Sequence, residues 1–117
     1  MYTVIYLYRV GKNNIKTFLE TNDKLKEIFL DNGALEDQIY RAEDLQGKNG
    51  CQGILDLVEL KPDEQVFLGQ SVFRNQSHYE EVLDRVQENE ENEQLMMNLT
   101  QSVDVSKTFM GTFVTPD

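Results

Sequence analysis

Two stretches of this chain alternate like β-strands yet are apolar on both sides: "YTVIYLYRV" (Tyr2 to Val10) and "KTFMGTFVT" (Lys107 to Thr115). In the first, Ile5 and Leu7 share one face while Val4, Tyr6 and Tyr8 share the other, and its β-branched and aromatic content favours a strand over a helix. In the last, Phe109 and Phe113 oppose Met110 and Val114. Strands of this kind belong in a sheet that is covered on both faces. That requirement constrains the fold, because the remaining sequence supplies only two long helices.

Ile15, Phe18, Leu19, Leu25, Ile28 and Phe29 recur at three- and four-residue spacings, which predicts an amphipathic helix of about five turns. Asn13 or Asn14 can cap its start. Gly33 takes the left-handed conformation that ends such a helix at little cost. A second helix follows in "NQSHYEEVLDRVQENEE", capped by Asn75 or Ser77, with Val82, Leu83 and Val86 as its buried stripe. A second strand carries Leu35 and Ile39 inward. A glycine-punctuated stretch from Gln46 to Gly53 reads as a flexible loop. A short extended run in "ILDLVELKPDE" ends at a Lys61-Pro62-Asp63 turn. Gln65 to Phe73 is a further strand, and "NEQLMMNLTQ" adds one or two helical turns.

The order β-α-β-(short β)-β-α-β gives an α+β fold, a ferredoxin-like βαββαβ sandwich with a four-stranded antiparallel sheet, in one domain over residues 1–117. Two helices cover one face only. The other face would expose roughly several hundred square ångströms of apolar surface, which soluble monomers seldom tolerate. A second copy packed face to face would bury it, in an interface of about 1,200–2,000 Å². A homodimer is the expected assembly.

Charge and composition exclude other partners. The chain has 21 acidic and 11 basic residues, a net charge of -10, and residues 80–93 alone hold seven acids against one arginine. Such a surface repels phosphate backbones and anionic lipid, so neither nucleic acid nor membrane is expected. "MYTVIYLYRV" lacks a basic leader region and is too short to span a bilayer. The single cysteine, Cys51, allows no internal disulfide, which suits the cytoplasm.

No metal or cofactor is expected, because His78 is the only histidine and one protomer therefore cannot build a histidine-rich site or grip haem with a pair. His78 itself reads either as a neutral imidazole at a cleft mouth or as a cap residue. Tyr6 and Tyr8, joined by Tyr40, read as a tyrosine row on the face opposite the helices, forming a pocket for a small planar ligand or simply interface packing. Glu36 and Asp37 are adjacent, so they fall on opposite faces of their strand and cannot act as a pair; Glu36 and Tyr40 share a face. Cys51 has no histidine or helix N-terminus to activate it. Glycines 47, 50 and 53 fit no phosphate-binding fingerprint. The "ENEENE" run reads as a solvated face, and Met96 and Met97 as plugs at the core edge.

Several short motifs occur in a fixed order: "MYTVIYLYRV", "NGALE" (Asn32 to Glu36), Gly47-Lys48, "LKPDE" (Leu60 to Glu64), Ser77-His78 and "GTF" (Gly111 to Phe113). Together, over essentially the whole chain, they resemble the family catalogued as domain of unknown function 1428, within the dimeric α+β-barrel superfamily. The resemblance implies a ferredoxin-like protomer and a dimer whose two sheets form a barrel-like core. It implies no activity, since the family is uncharacterised, although wider relatives include cofactor-independent monooxygenases, haem-degrading enzymes and simple binding proteins. The family tends to carry an aromatic residue near Gln70. Three functional readings follow. The first is a homodimer binding a small organic molecule in a cleft on the sheet face, with Tyr6, Glu36, Tyr40, Gln70 and His78 as candidate contacts. The second is a monooxygenase-type enzyme holding an oxygen-reactive substrate with Tyr6, Tyr40, Gln70 and His78 in a dry cavity. The third is an interaction protein whose sheet face serves dimerisation alone.

Overall fold

A computed structural model describes all residues, 1–117. Strand β1 spans Tyr2–Gly11, helix α1 Ile15–Asp31, β2 Glu36–Arg41, β3 Glu64–Phe73, α2 Gln76–Gln87, α3 Asn92–Ser102 and β4 Phe109–Val114. The four strands form one antiparallel sheet in the order β2-β3-β1-β4. Each βαβ crossover therefore skips one strand, which is the ferredoxin-like arrangement. No helix is long and apolar enough to cross a membrane.

Register assigns the faces. Tyr6 lies opposite Gly69 and Met110, and Ile39 lies opposite Gly69. With the two-residue pleat, Val4, Tyr6, Tyr8, Asp37, Ile39, Phe67, Gly69 and Ser71 therefore share one face. This face meets the helices: Tyr8 packs edge-on against Phe18 of α1, centroids 5.1 Å apart, and Val4 shares a buried cluster with Leu25, Ile28 and Val82. Thr3, Ile5, Leu7, Glu36, Gln38, Tyr40, Leu68, Gln70, Phe109 and Phe113 occupy the other face. The tyrosine row is thereby corrected: Tyr6 and Tyr8 point to the helices, and Tyr40 points away from them.

The Gly33 stop and the Asn75 cap form as the sequence implies; the asparagine cap expected at the start of α1 does not. After α1, Gly33 adopts φ 111°, its N–H bonds Leu30 O and the Ala34 N–H reaches Phe29 O, which together satisfy the last carbonyls of the helix. Asn75 caps α2, its Oδ1 accepting the His78 N–H at 2.8 Å. Asn14 precedes α1 but makes no side-chain cap bond, since a short 3₁₀ turn, Lys12–Asn14, leads into that helix instead.

Two segments differ from the sequence reading. "NEQLMMNLTQ" forms a full helix, α3, lodged against α1. The extended run expected after Gly53 is instead a 3₁₀ turn, Ile54–Asp56, within a long β2–β3 connection. Gly47 and Gly53 abut there: a Cβ on Gly47 would lie 2.2 Å from Cys51 O, and one on Gly53 2.5 Å from Gly47 N. Close backbone approach, rather than looseness, explains those glycines. Arg9 donates to Glu59 O and so pins this connection over one end of the outer face, where Val66 is buried. The β4 end stays open, leaving Phe109 51% and Phe113 62% exposed.

Candidate functional site

The core on the helix side is divided. One cluster gathers Val4, Leu25, Ile28, Phe73, Val82 and Val86; a second gathers Tyr8, Val10, Phe18, Phe67 and Val103. Tyr6 and Leu99 pack against both. Between the clusters lies a cavity of about 420 Å³, floored by the sheet and roofed by the three helices. That size suits a small organic ligand. Leu25, Phe29, Leu83, Val86, Met96 and Leu99 supply its apolar wall. Met96 thus forms part of a cavity lip rather than plugging the core edge.

The sheet floor carries the polar groups. Tyr6 and Tyr8, two apart on β1, stack with centroids 5.5 Å apart and planes 14° from parallel. Gly69 faces them from β3; a Cβ there would come within 3.1 Å of the Tyr8 ring, so glycine makes room for the tyrosines. Asp37 on edge strand β2 lies opposite Ser71, whose hydroxyl donates to Asp37 Oδ2 at 2.6 Å. Burial pushes the Asp37 carboxyl above its ordinary value, opposed by the Ser71 hydrogen bond and by Lys26. Burial likewise raises the Tyr6 and Tyr8 hydroxyls, with Asp37 adding to both shifts. The floor therefore holds phenols in their donor form beside one carboxylate.

The cavity adjoins an open groove between α1 and β2. Asn22, Asp37, Gln38 and Ile39 line both spaces. Gln38 belongs to the outer-face register, but it sits on an edge strand and its Oε1 accepts from Lys26 Nζ at 2.8 Å, bridging strand to helix at this mouth.

Of the five residues expected from sequence, Tyr6 and Gln70 meet at this cavity and Glu36, Tyr40 and His78 do not. Tyr6 borders the cavity. Gln70 borders it too, although the register turns its side chain to the outer face opposite Ile5 and Gln38. Glu36 and Tyr40 share the outer face as expected, where both are exposed, and neither borders this cavity. His78 is buried beneath α2 rather than at a cleft mouth. Its Nδ1 accepts the Arg74 N–H at 3.0 Å, which fixes the neutral tautomer with its proton on Nε2, and its ring meets Phe73 edge-on. This cavity lies on the helix side of the sheet, and Asp37 rather than Glu36 is the carboxylate that borders it. Asn22 and Ser71 gave no signal in the sequence, since a polar residue on a buried stripe is readable only once the stripe is known to border a gap. No three His, Cys, Asp or Glu groups converge anywhere in the chain.

Residues 1–103 match the family described as Protein of unknown function (DUF1428). The chain belongs to that family. Solved structures share the fold across nearly full lengths on both sides. The protein At3g17210 from Arabidopsis thaliana is 9% identical at TM-score 0.65, covering 100% of this chain and 97% of its own. An uncharacterized NIPSNAP domain protein from Burkholderia xenovorans is 11% identical at TM-score 0.59, covering 99% and 95%. HapK from Hahella chejuensis is 10% identical at TM-score 0.54, covering 100% and 96%. Identities this low carry the fold alone. No curated protein matches the chain.

Proposed function

We propose that this DUF1428 protein is a cytoplasmic homodimer, each protomer of which binds a small organic molecule between its sheet and its helices. The cavity of about 420 Å³ carries the reading: an apolar wall over a floor of Tyr6, Tyr8, Asp37 and Ser71 is the composition expected of a small-molecule site. The dimer is supported by the open outer face, where Phe109, Phe113 and Tyr40 remain about half exposed. A reducing compartment suits the single exposed thiol of Cys51.

Thermal shift with indole as probe tests the site. Leu83 borders the cavity from α2 without belonging to either buried cluster, so Leu83→Trp fills the space at little cost to the core. Indole should raise the melting temperature of the wild type and leave that of the variant unchanged. An equal response from both would move the site elsewhere.

A further inference from the structure

We propose that the cavity selects organic amines, with Asp37 receiving the ammonium group; this rests on the small-molecule reading above. Of the 21 residues lining the cavity, Asp37 alone bears a formal charge, and no Lys, Arg or His borders the space. Inside the cavity an anionic ligand would find no cation and one carboxylate to oppose it, since Lys26 stands in the adjoining groove, and that arrangement costs heavily in a partly desolvated site. A protonated amine meets the opposite situation. Asp37 accepts one hydrogen bond, from Ser71 Oγ, which leaves an ionised carboxylate with acceptor capacity to spare. Lys26 makes no ion pair with it; its ammonium donates to Gln38, and at longer range its charge favours the ionised form of Asp37 that the proposal needs.

Two further features point the same way. The stacked rings of Tyr6 and Tyr8 border the same floor and offer a π-surface to a cation. The net charge of -10 raises the local concentration of cations around the protein. An aromatic or aliphatic body would fill the wall of Leu25, Phe29, Leu83 and Leu99 while its amine sits on the sheet floor.

The chain contains no tryptophan, so an indole probe fluoresces against a dark background. Three probes share one body and differ in charge: tryptamine, the neutral alcohol tryptophol and the anion indole-3-propionate. Anisotropy titrations should rank tryptamine first and indole-3-propionate last, separated by at least about tenfold in Kd. Asp37→Asn, which keeps the shape and the Ser71 partner, should weaken tryptamine about tenfold and leave tryptophol within about twofold. Tryptophol or indole-3-propionate binding as tightly as tryptamine would overturn the amine assignment while leaving the cavity reading in place. Binding of none of the three overturns both. Tryptamine binding that Asp37→Asn leaves unaltered places the amine elsewhere and refutes the role of Asp37.

Discussion

Phe113 offers the sharpest test of the assembly. It lies on the outer face of β4 opposite Thr3 and is 62% exposed in the protomer. A free phenylalanine presents roughly 200 Å², so about 125 Å² remains open to solvent. At about 25 cal/mol per Å², covering it contributes about 3 kcal/mol. In a twofold dimer each such contact occurs twice, which brings the contribution to about 6 kcal/mol and a change of about four orders of magnitude in Kd. Phe113→Ser should therefore convert a dimer that persists at micromolar concentration into a monomer, read by sedimentation velocity at about 10 µM. The protomer itself should keep its fold, because the ring makes little contact inside one chain; an unchanged far-ultraviolet dichroism spectrum verifies this. A wild-type protein that sediments as a single chain, or a variant with unchanged dimer affinity, would refute the face-to-face assembly.

Other perturbations probe the site and its supports. Because burial raises the Asp37 carboxyl, the folded state holds that proton to higher pH than the unfolded chain does, so its contribution to stability falls as pH rises through the ordinary carboxylate range. Asp37→Asn should accordingly melt above the wild type at about pH 7, with the gap closing toward about pH 4; a gap that widens on acidification would contradict this. His78→Ala should cost about 2–3 kcal/mol in urea unfolding, through the lost ring and the orphaned Arg74 N–H, yet leave tryptamine binding intact, since His78 does not border the cavity. Asn75→Ala should cost about 1 kcal/mol by uncapping α2, measured the same way. Gly33→Ala should cost about 1–2 kcal/mol from backbone conformation alone, because a Cβ there meets nothing nearer than 3.5 Å.

The fold was legible because its determinants are local. Helix periodicity, the Gly33 stop, the Asn75 cap and the alternating strands each act within a few residues, and they fixed the order of the four strands and the two long helices. The site was not legible, for a reason that β1 makes plain. With both faces apolar, alternation shows that Tyr6 and Tyr8 share a side but not which side the helices take. Only the pairing with β3, which sets Tyr6 against Gly69, and the packing of Tyr8 on Phe18 decide it. The same ambiguity governed β2. Glu36 and Asp37 were rightly separated onto opposite faces, but which of them meets a cavity depends on a gap between two core clusters. That gap arises from α3, whose helical extent a weakly patterned "NEQLMMNLTQ" understates.

In the proposed site a ligand enters between the sheet and the helices, on the face that Asp37 shares with Tyr6. A crystal structure of the protein soaked with tryptamine decides this. Density for the indole should lie between Tyr6 and Leu99, with the amine within hydrogen-bond reach of Asp37. Density for the probe on the outer face, beside Glu36 and Tyr40, would contradict it.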